Sequence, residues 1–410
     1  MDILDPASAS APMSLPFLNG VYIAVDAIAG SYLIVDGPYC AFTKAEMQYC
    51  HSLRCRLLPQ GGHSRVVHTG QLGVREEVQS LSTDRARHVE SVFSQVCALP
   101  DARIVLAASF DFHELSGFPL REIARRHDAA GGPLVCHVPG RSLGGSWLDG
   151  YALACEALAR ELTLKPGRGE RDAVAVVGYL RDRDEPDHAG NLRELRRLLG
   201  ALGLRVVSVW LSGGGRAELE AAARARLVIS FPYARAAARV VAKRLHVRLC
   251  EVDLPFGLAA TERFLLTVGA QAGRLGRAQR LAAKESAAAV RDTEAHVLRF
   301  VAGRPAVLLQ NDPELDARLR ELCSELGLVV EPLDLAAPPA GERGLAVCFA
   351  PMLRMKLRHL VHVPTGYPNY VEHPVVERPF LGYAGFRHLV DRVARALLRA
   401  EAEAPAAGEP

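Results

Sequence analysis

Behind an apolar run, the stretch "LIVDGPYCAFTKAEMQYCHSLRC" (33–55) places three cysteines, a histidine and a glutamate after a Gly-Pro turn. Thiolate, imidazole and carboxylate are side chains that ligate transition metals, and thiolates in particular hold iron-sulfur clusters. On a helix following the turn, 100° per residue stacks Cys55 over His51 and Cys50 over Glu46. Both pairs then have the i, i+4 spacing that can share a metal. A packed cysteine and a solvated charge account for the same letters, and both readings stand at this stage.

Weaker candidates lie further along. His63 and His68 flank a turn in "GGHSRVVHTG", where they face either a cleft or plain solvent. "LSGGGRAEL" (211–219) sets glycines before a helix N-terminus, a geometry that suits an anion or a tight connection. In "HVPTGYPNY" and "GYAGF", Tyr367, Tyr370 and Tyr383 offer flat faces and hydroxyls, while Gly366 and Gly382 permit close backbone approach. Such walls suit a large flat substrate, and core packing explains them equally well.

The elements that must position these residues follow from composition and periodicity. At 410 residues, 49% of them hydrophobic and 6% aromatic, the chain can bury two or three cores. The stretch has no run of about 18 apolar residues and no secretory signal pattern, so a cytoplasmic protein without a membrane segment is expected. Nine cysteines without regular spacing do not form a disulfide framework. A net charge of +3, with the arginines spread along the chain, leaves no nucleic-acid footprint.

From about Asp172 strands and helices alternate: "AVAVVGYL", "HAGNLRELRRLLGALG", "LRVVSVWL", a helix from about Ala217, "RLVIS", "YARAAARVVAKRL" and "VRLCEV". That order implies parallel strands joined by crossover helices. "LLGALGLRVVSV" (198–209) and "LCSELGLVVEPL" (322–333) share one grammar of helix, Gly cap, Leu and β-branched strand, which marks domains built alike. We place an N-terminal α/β domain at 1–165, a middle one at 166–275, a C-terminal one with a connector helix at 276–400, and a tail at 401–410.

The series "VDGPYC", "VPGRSLGGSWLDGYALACEAL", "LGALGLRVVSVWLSGGGRAELEAAARARLVIS", "EVDLPFGLAATERFLLTV" and "VPTGYPNYVEHPVVERPFLGYAGF" resembles the nitrogenase component 1 family, in the same order and at similar spacing over roughly Gly20 to Arg399. The family includes nitrogenase chains and the catalytic subunits of dark-operative protochlorophyllide reductase. The resemblance implies an α/β fold of three similar Rossmann-like domains with parallel sheets around a central cleft. It implies an oxidoreductase that accepts electrons from an ATP-dependent iron-sulfur reductase, with ATP used only by that partner. The electrons would pass through an interface cluster to an unsaturated, tetrapyrrole-like substrate.

Cys40 fits the cluster cysteine of the family's "HGPxGC" turn, although the turn here is one residue shorter and Asp36 replaces the histidine. No cysteine precedes Cys40, and "VLAASFDFHEL" has Ser109, Phe110 and Asp111 where the family carries another. The resemblance therefore makes Cys40, Asp111, Cys50 and Cys55 the ligand candidates for a [4Fe-4S] cluster shared between chains, in a homodimer or with a second component 1-like chain. Leu381 and Phe231 stand where nitrogenase anchors its large cofactor, so nitrogen fixation is not expected. Two alternatives accompany the reductase: a non-catalytic scaffold or carrier for a metallocofactor or tetrapyrrole, and a ligand-poor partner subunit.

Overall fold

The structure, a computed structural model, describes residues 15–37, 65–69, 85–110, 115, 117–128, 131–140, 145–180, 186–333, 345–352, 360–369 and 372–403. Its strands form three four-stranded, all-parallel sheets. The first contains β1 Ser31–Asp36, β2 Val66–His68, β3 Ile104–Ser109 and β4 Leu134–His137, in the order β2-β1-β3-β4. The second contains β5 Ala173–Val177, β6 Arg205–Val209, β7 Leu227–Ser230 and β8 Arg248–Glu251, in the order β6-β5-β7-β8. The third contains β9 Pro305–Leu308, β10 Val329–Val330, β11 Ala346–Ala350 and β12 Leu360–Pro364, in the order β10-β9-β11-β12. One topology is thus used three times. Strands β1, β3, β5, β7 and β11 are buried along their whole length. Parallel strands covered on both faces read as continuous apolar runs, which is how they appear in the sequence.

The helices are α1 Phe17–Asp26, α2 Arg85–Cys97, α3 Leu120–His127, α4 Trp147–Glu161, α5 Pro186–Ala201 and α6 Arg216–Glu220. They continue with α7 Arg235–Leu245, α8 Leu258–Gln271, α9 Leu275–His296, α10 Pro313–Glu325 and α11 Gly382–Glu403. The connector expected after residue 270 is α9, prolonged by a π-helical turn at Val297–Val301. The repeat read from the sequence is α5 into β6 and α10 into β10, with Gly203 and Gly327 both at positive φ (77° and 67°), where glycine avoids the Cβ clash. Asp312 caps α10 by accepting from the Glu314 and Leu315 amides (3.0 and 3.2 Å) ahead of Pro313.

The chain divides into two compact units. One contains Leu15–Asp184 and Leu204–Val252, hence the first two sheets; the other contains Glu185–Gly203 and Asp253–Pro410, hence the third sheet. Helix α5 therefore belongs to the second unit although its flanking strands belong to the first.

Within the first unit, Val89, Phe93 and Val96 of α2 and Leu120, Ile123 and Ala124 of α3 pack on Tyr32, Ile34, Val105, Ala107 and Val135 of the sheet. Helices α1 and α4 approach at backbone distance. A Cβ on Gly20 would lie 1.7 Å from the Trp147 carbonyl oxygen, and one on Gly150 would lie 2.0 Å from that of Phe17. Helix α4 also meets α7, where Arg244 Nη1 donates to the Ala159 carbonyl at 2.6 Å.

Gly20→Ala or Gly150→Ala is expected to cost about 3 kcal/mol, because the clash is with backbone that cannot rotate away. Gly200→Ala, with no heavy atom within 4 Å of the added Cβ, should instead stabilise by about 0.5 kcal/mol. Urea denaturation of the three variants checks both signs.

Candidate functional site

In open parallel sheets, ligands collect at the carboxyl ends of the strands, where the strand order reverses. In the first sheet that point lies between β1 and β3. Asp36, the last residue of β1, pairs in register with Ser109 and is fully buried. Its Oδ1 accepts from Thr69 Oγ1 at 2.8 Å and from Arg85 Nη2 at 2.5 Å. Arg85 opens α2, keeps its side chain 15% exposed and lies over the Phe118 ring at 4.8 Å. Thr69 is held in turn: its amide donates to the Val35 carbonyl (3.0 Å), and its own carbonyl lies 2.9 Å from His88 Nε2. The strand end is therefore a charge-compensated floor drawn from three separate stretches of chain.

Gly37 follows this floor, and a Cβ there would meet the Phe110 side chain at 2.6 Å. The Phe110 amide donates to the Asp36 carbonyl at 2.8 Å, which ties the ends of β1 and β3 together. From Gly37 and Phe110 the chain runs on toward Cys40 and Asp111. Those two residues, with Glu46, Cys50, His51, Cys55 and His63, lie outside the described residues.

The described cysteines have the opposite character from cluster ligands. Cys136, Cys155, Cys250, Cys323 and Cys348 are buried and Cys97 is partly so. Burial pushes the Cys250 thiol up to about 11 and those of Cys323 and Cys348 up to about 12, and it raises Cys136 and Cys155 further. Such thiols behave as small hydrophobes, not nucleophiles or ligands. Among the described residues no group of three or more His, Cys, Asp or Glu side chains is placed to hold a metal ion.

At the second sheet's carboxyl end Arg235 reaches the Ser230 and Val252 carbonyls (3.5 and 3.1 Å). Gly178, at φ +86°, passes so close to the Phe231 carbonyl oxygen that a Cβ would lie 2.7 Å from it, and Phe231 is fully buried. The "LSGGG" loop is a tight connection. Glu218 folds its carboxylate over Gly214, occupying the place an anion would take, and Gly213 donates to the Ala27 carbonyl at 2.8 Å. The anion reading of that loop is therefore corrected.

At the third sheet, Gln310 Nε2 donates to the Phe349 and Thr365 carbonyls (3.0 and 3.1 Å), joining the ends of β11 and β12. Gly366, at φ +97°, packs against the Gln310 amide oxygen, which an added Cβ would meet at 2.6 Å. Tyr367 is buried, and its carbonyl accepts from Asn311 Nδ2 at 3.0 Å. Tyr370 lies outside the described residues. The "GYAGF" residues form the first turn of α11. Gly382 is closely approached by the Glu194 side chain (2.6 Å to a Cβ), while Tyr383 is fully buried with its hydroxyl 3.5 Å from the Ala282 carbonyl oxygen. Both residues have the surroundings of packed interior, where the sequence suggested a cavity wall. The close approach foreseen for Gly382 is real, and a side chain of the same unit fills it.

The sequence marked the "DGPYC" segment but not the Asp36–Arg85 pair at its start. Forty-nine positions separate the partners, and no periodicity joins them.

A model of the family described as nitrogenase component 1 type oxidoreductases matches residues 85–340, more than half of the chain. The chain belongs to that family. Among solved structures, one described as nitrogenase Cp1 at pH 6.5 is similar over 97% of this chain and 95% of its own, at 14% identity and a TM-score of 0.77. A second, nitrogenase Cp1 at pH 5, covers 97% of this chain and 91% of its own, at 11% identity and a TM-score of 0.65. At these identities the likeness shows the fold. No curated protein matches the sequence.

Asp36→Ala should destabilise the fold by about 3 kcal/mol, since it leaves the Arg85 guanidinium with its main carboxylate removed, and the double variant Asp36→Leu/Arg85→Met should recover part of that loss. A double-mutant cycle by urea denaturation measures the coupling. Burial also holds two imidazoles neutral, with His68 and His137 both pushed down to about 4. The unfolded chain protonates its histidines near 6.5, so the stability these two contribute is complete above that pH and is lost as pH falls from about 6.5 toward 4. Urea midpoints at pH 7 and pH 4.5 should differ in that direction, and His68→Gln should reduce the difference.

Proposed function

We propose that the chain is a component 1-type subunit of an ATP-dependent reductase, taking electrons from an iron-sulfur partner and delivering them to an unsaturated, tetrapyrrole-like substrate. What carries the reading is family membership combined with the place of Asp36, the first residue of "DGPYC": it ends β1 at the sheet's switch point, where Arg85 and Thr69 hold it. In this reading Cys40 ligates a [4Fe-4S] cluster, with Asp111, Cys50 and Cys55 as the candidates for further positions. The cluster, when bound, supplies one-electron transfer at a potential that hydride donors do not reach.

This chain's own residues do the positioning. Asp36, Thr69 and Arg85 fix the strand end from which the Cys40 turn departs, and the Phe110–Asp36 bond fixes the neighbouring strand end that leads to Asp111. One retained turn cysteine per chain requires a second chain to complete the ligand set, in a homodimer or with a component 1-like partner. Two substitutions argue against nitrogen fixation: Phe231, fully buried, and Leu381, whose amide donates to Asn191 Oδ1 at 3.0 Å, stand at the family's cofactor-anchoring positions.

A second reading, a scaffold or carrier that keeps the fold without turnover, is favoured by the absence of any cysteine before Cys40. Iron and sulfide analysis after anaerobic expression separates the two. Under the reductase reading, Cys40→Ser removes most of the bound iron and leaves the circular dichroism spectrum unchanged. Cys323→Ala lowers stability by about 2 kcal/mol and leaves iron per folded chain as it was. Full iron retention in Cys40→Ser, or no iron in any preparation, leaves the scaffold.

A further inference from the structure

The first sheet has a second place where polar groups converge, away from the β1/β3 switch point. It is a cleft of about 400 Å³ along the open edge of β4, within the size range of small-ligand sites. Helix α3 supplies one wall and α4 the other, and β4 forms the floor.

Among the described residues the floor is an unpaired sheet edge. Leu134 and Val138 donate their amides inward, to Arg103 and Ala107 of the β3 segment (3.0 and 2.8 Å). The two-residue period of a strand therefore turns the amides of Val135 and His137 outward. Asp128 Oδ1 takes the Val135 amide at 3.3 Å, so that position is closed. The open position left is His137. Its imidazole lines the cleft: Nδ1 is enclosed, which leaves Nε2 as the ring nitrogen that can meet a ligand.

The walls carry unequal charge. On α3, Arg121 and Arg125 stand one turn apart and line the cleft, and neither guanidinium makes an ion pair or hydrogen bond among the described residues. Their neighbour Arg126 is paired with Glu90 and takes no part in the lining. On α4, Glu156 and Arg160 neutralise each other, which leaves Glu161 as the unpaired charge of that wall. Two forked donors on one wall with the Asp128 carboxylate turned to the Val135 amide at its end, a neutral imidazole at the base and the Glu161 carboxylate opposite make an asymmetric polar site. An added peptide strand does not fit, because Asp128 already holds one of the outward amides that strand pairing would need.

We propose that this cleft binds a small organic oxyanion, a carboxylate or a phosphate monoester, gripped by Arg121 and Arg125 and hydrogen-bonded at its base by His137. Guanidinium forks match both oxyanions bidentately, so the structure names their shared chemistry. The site lies at the sheet's outer edge and does not use the Cys40 turn, so it stands or falls separately from the reductase reading.

Calorimetric titration of the full-length protein at constant ionic strength, with succinate and with inorganic phosphate as probes, tests the assignment. Saturable one-to-one binding with a Kd of about 1 mM or tighter is expected for at least one probe, and which one binds separates the carboxylate from the phosphate source. Arg121→Gln/Arg125→Gln should weaken that binding roughly tenfold or more, while Arg126→Gln on the same helix leaves it unchanged. Both arginines are exposed, so the variant should fold, and the circular dichroism spectrum verifies it. In protein labelled at histidine, the His137 ring signals should shift on saturation with the bound probe. Failure of both probes to saturate, equal weakening by Arg126→Gln, or binding that survives the double substitution overturns the proposal.

Discussion

An all-parallel sheet cannot leave either face in water, because each crossover lays a helix across one face or the other and the strands lose their polar alternation. That constraint governs this molecule three times over. Strands β1, β3, β5, β7 and β11 expose no residue along their length, so side chains on the sheet faces are committed to packing. Chemistry is left with two kinds of place, the carboxyl ends of the strands and the outer edges. The Asp36–Arg85 floor occupies the first, and the cleft along β4 occupies the second.

The three strand-end crevices differ in kind although their topology is the same. The first is charged, closed by a buried carboxylate, a guanidinium and a hydroxyl. The second is so tight that only glycine fits at position 178, and Arg235 bridges its strand-end carbonyls. The third is an amide lattice in which Gln310 and Asn311 gather three backbone carbonyls. A buried ion pair adds little net stability compared with an apolar pair of equal volume, yet it strongly disfavours rearrangements that would separate the charges. Here it lies at the end of the strand that leads to Cys40.

Much of the fold was legible because it rests on local signals. Continuous β-branched runs marked the central strands, and the Gly-capped helix before β6 and β10 marked the repeat. Less of the site was legible. Asp36 stood out as a departure from a family histidine, but its meaning depends on Thr69 and Arg85, which reach it from 33 and 49 positions away. Tyr383 and Gly382 stayed ambiguous for a related reason. An aromatic beside glycines reads the same whether it faces a ligand or another helix, and only the position of Glu194 and Ala282 distinguishes the two. The arginines of the β4 cleft gave no signal in a chain where basic residues are spread throughout, because what sets them apart is the lack of a partner among the described residues.

Helix α5 raises a question of timing. It packs with a unit that is mostly encoded after it: Asn191 Oδ1 accepts the Phe380 and Leu381 amides across 189 and 190 positions, and Glu194 Oε1 accepts the Ala384 amide across 190. Both acceptors belong to side chains that are buried in the finished protein. On the ribosome, at roughly 5 to 20 residues per second, the helix emerges and then waits about 10 to 40 seconds for the segment that satisfies them. During that interval its apolar face, Leu195, Leu198 and Leu199, has no permanent cover from its own unit. The nascent chain therefore carries these side chains without their folded-state partners through nearly half of its synthesis.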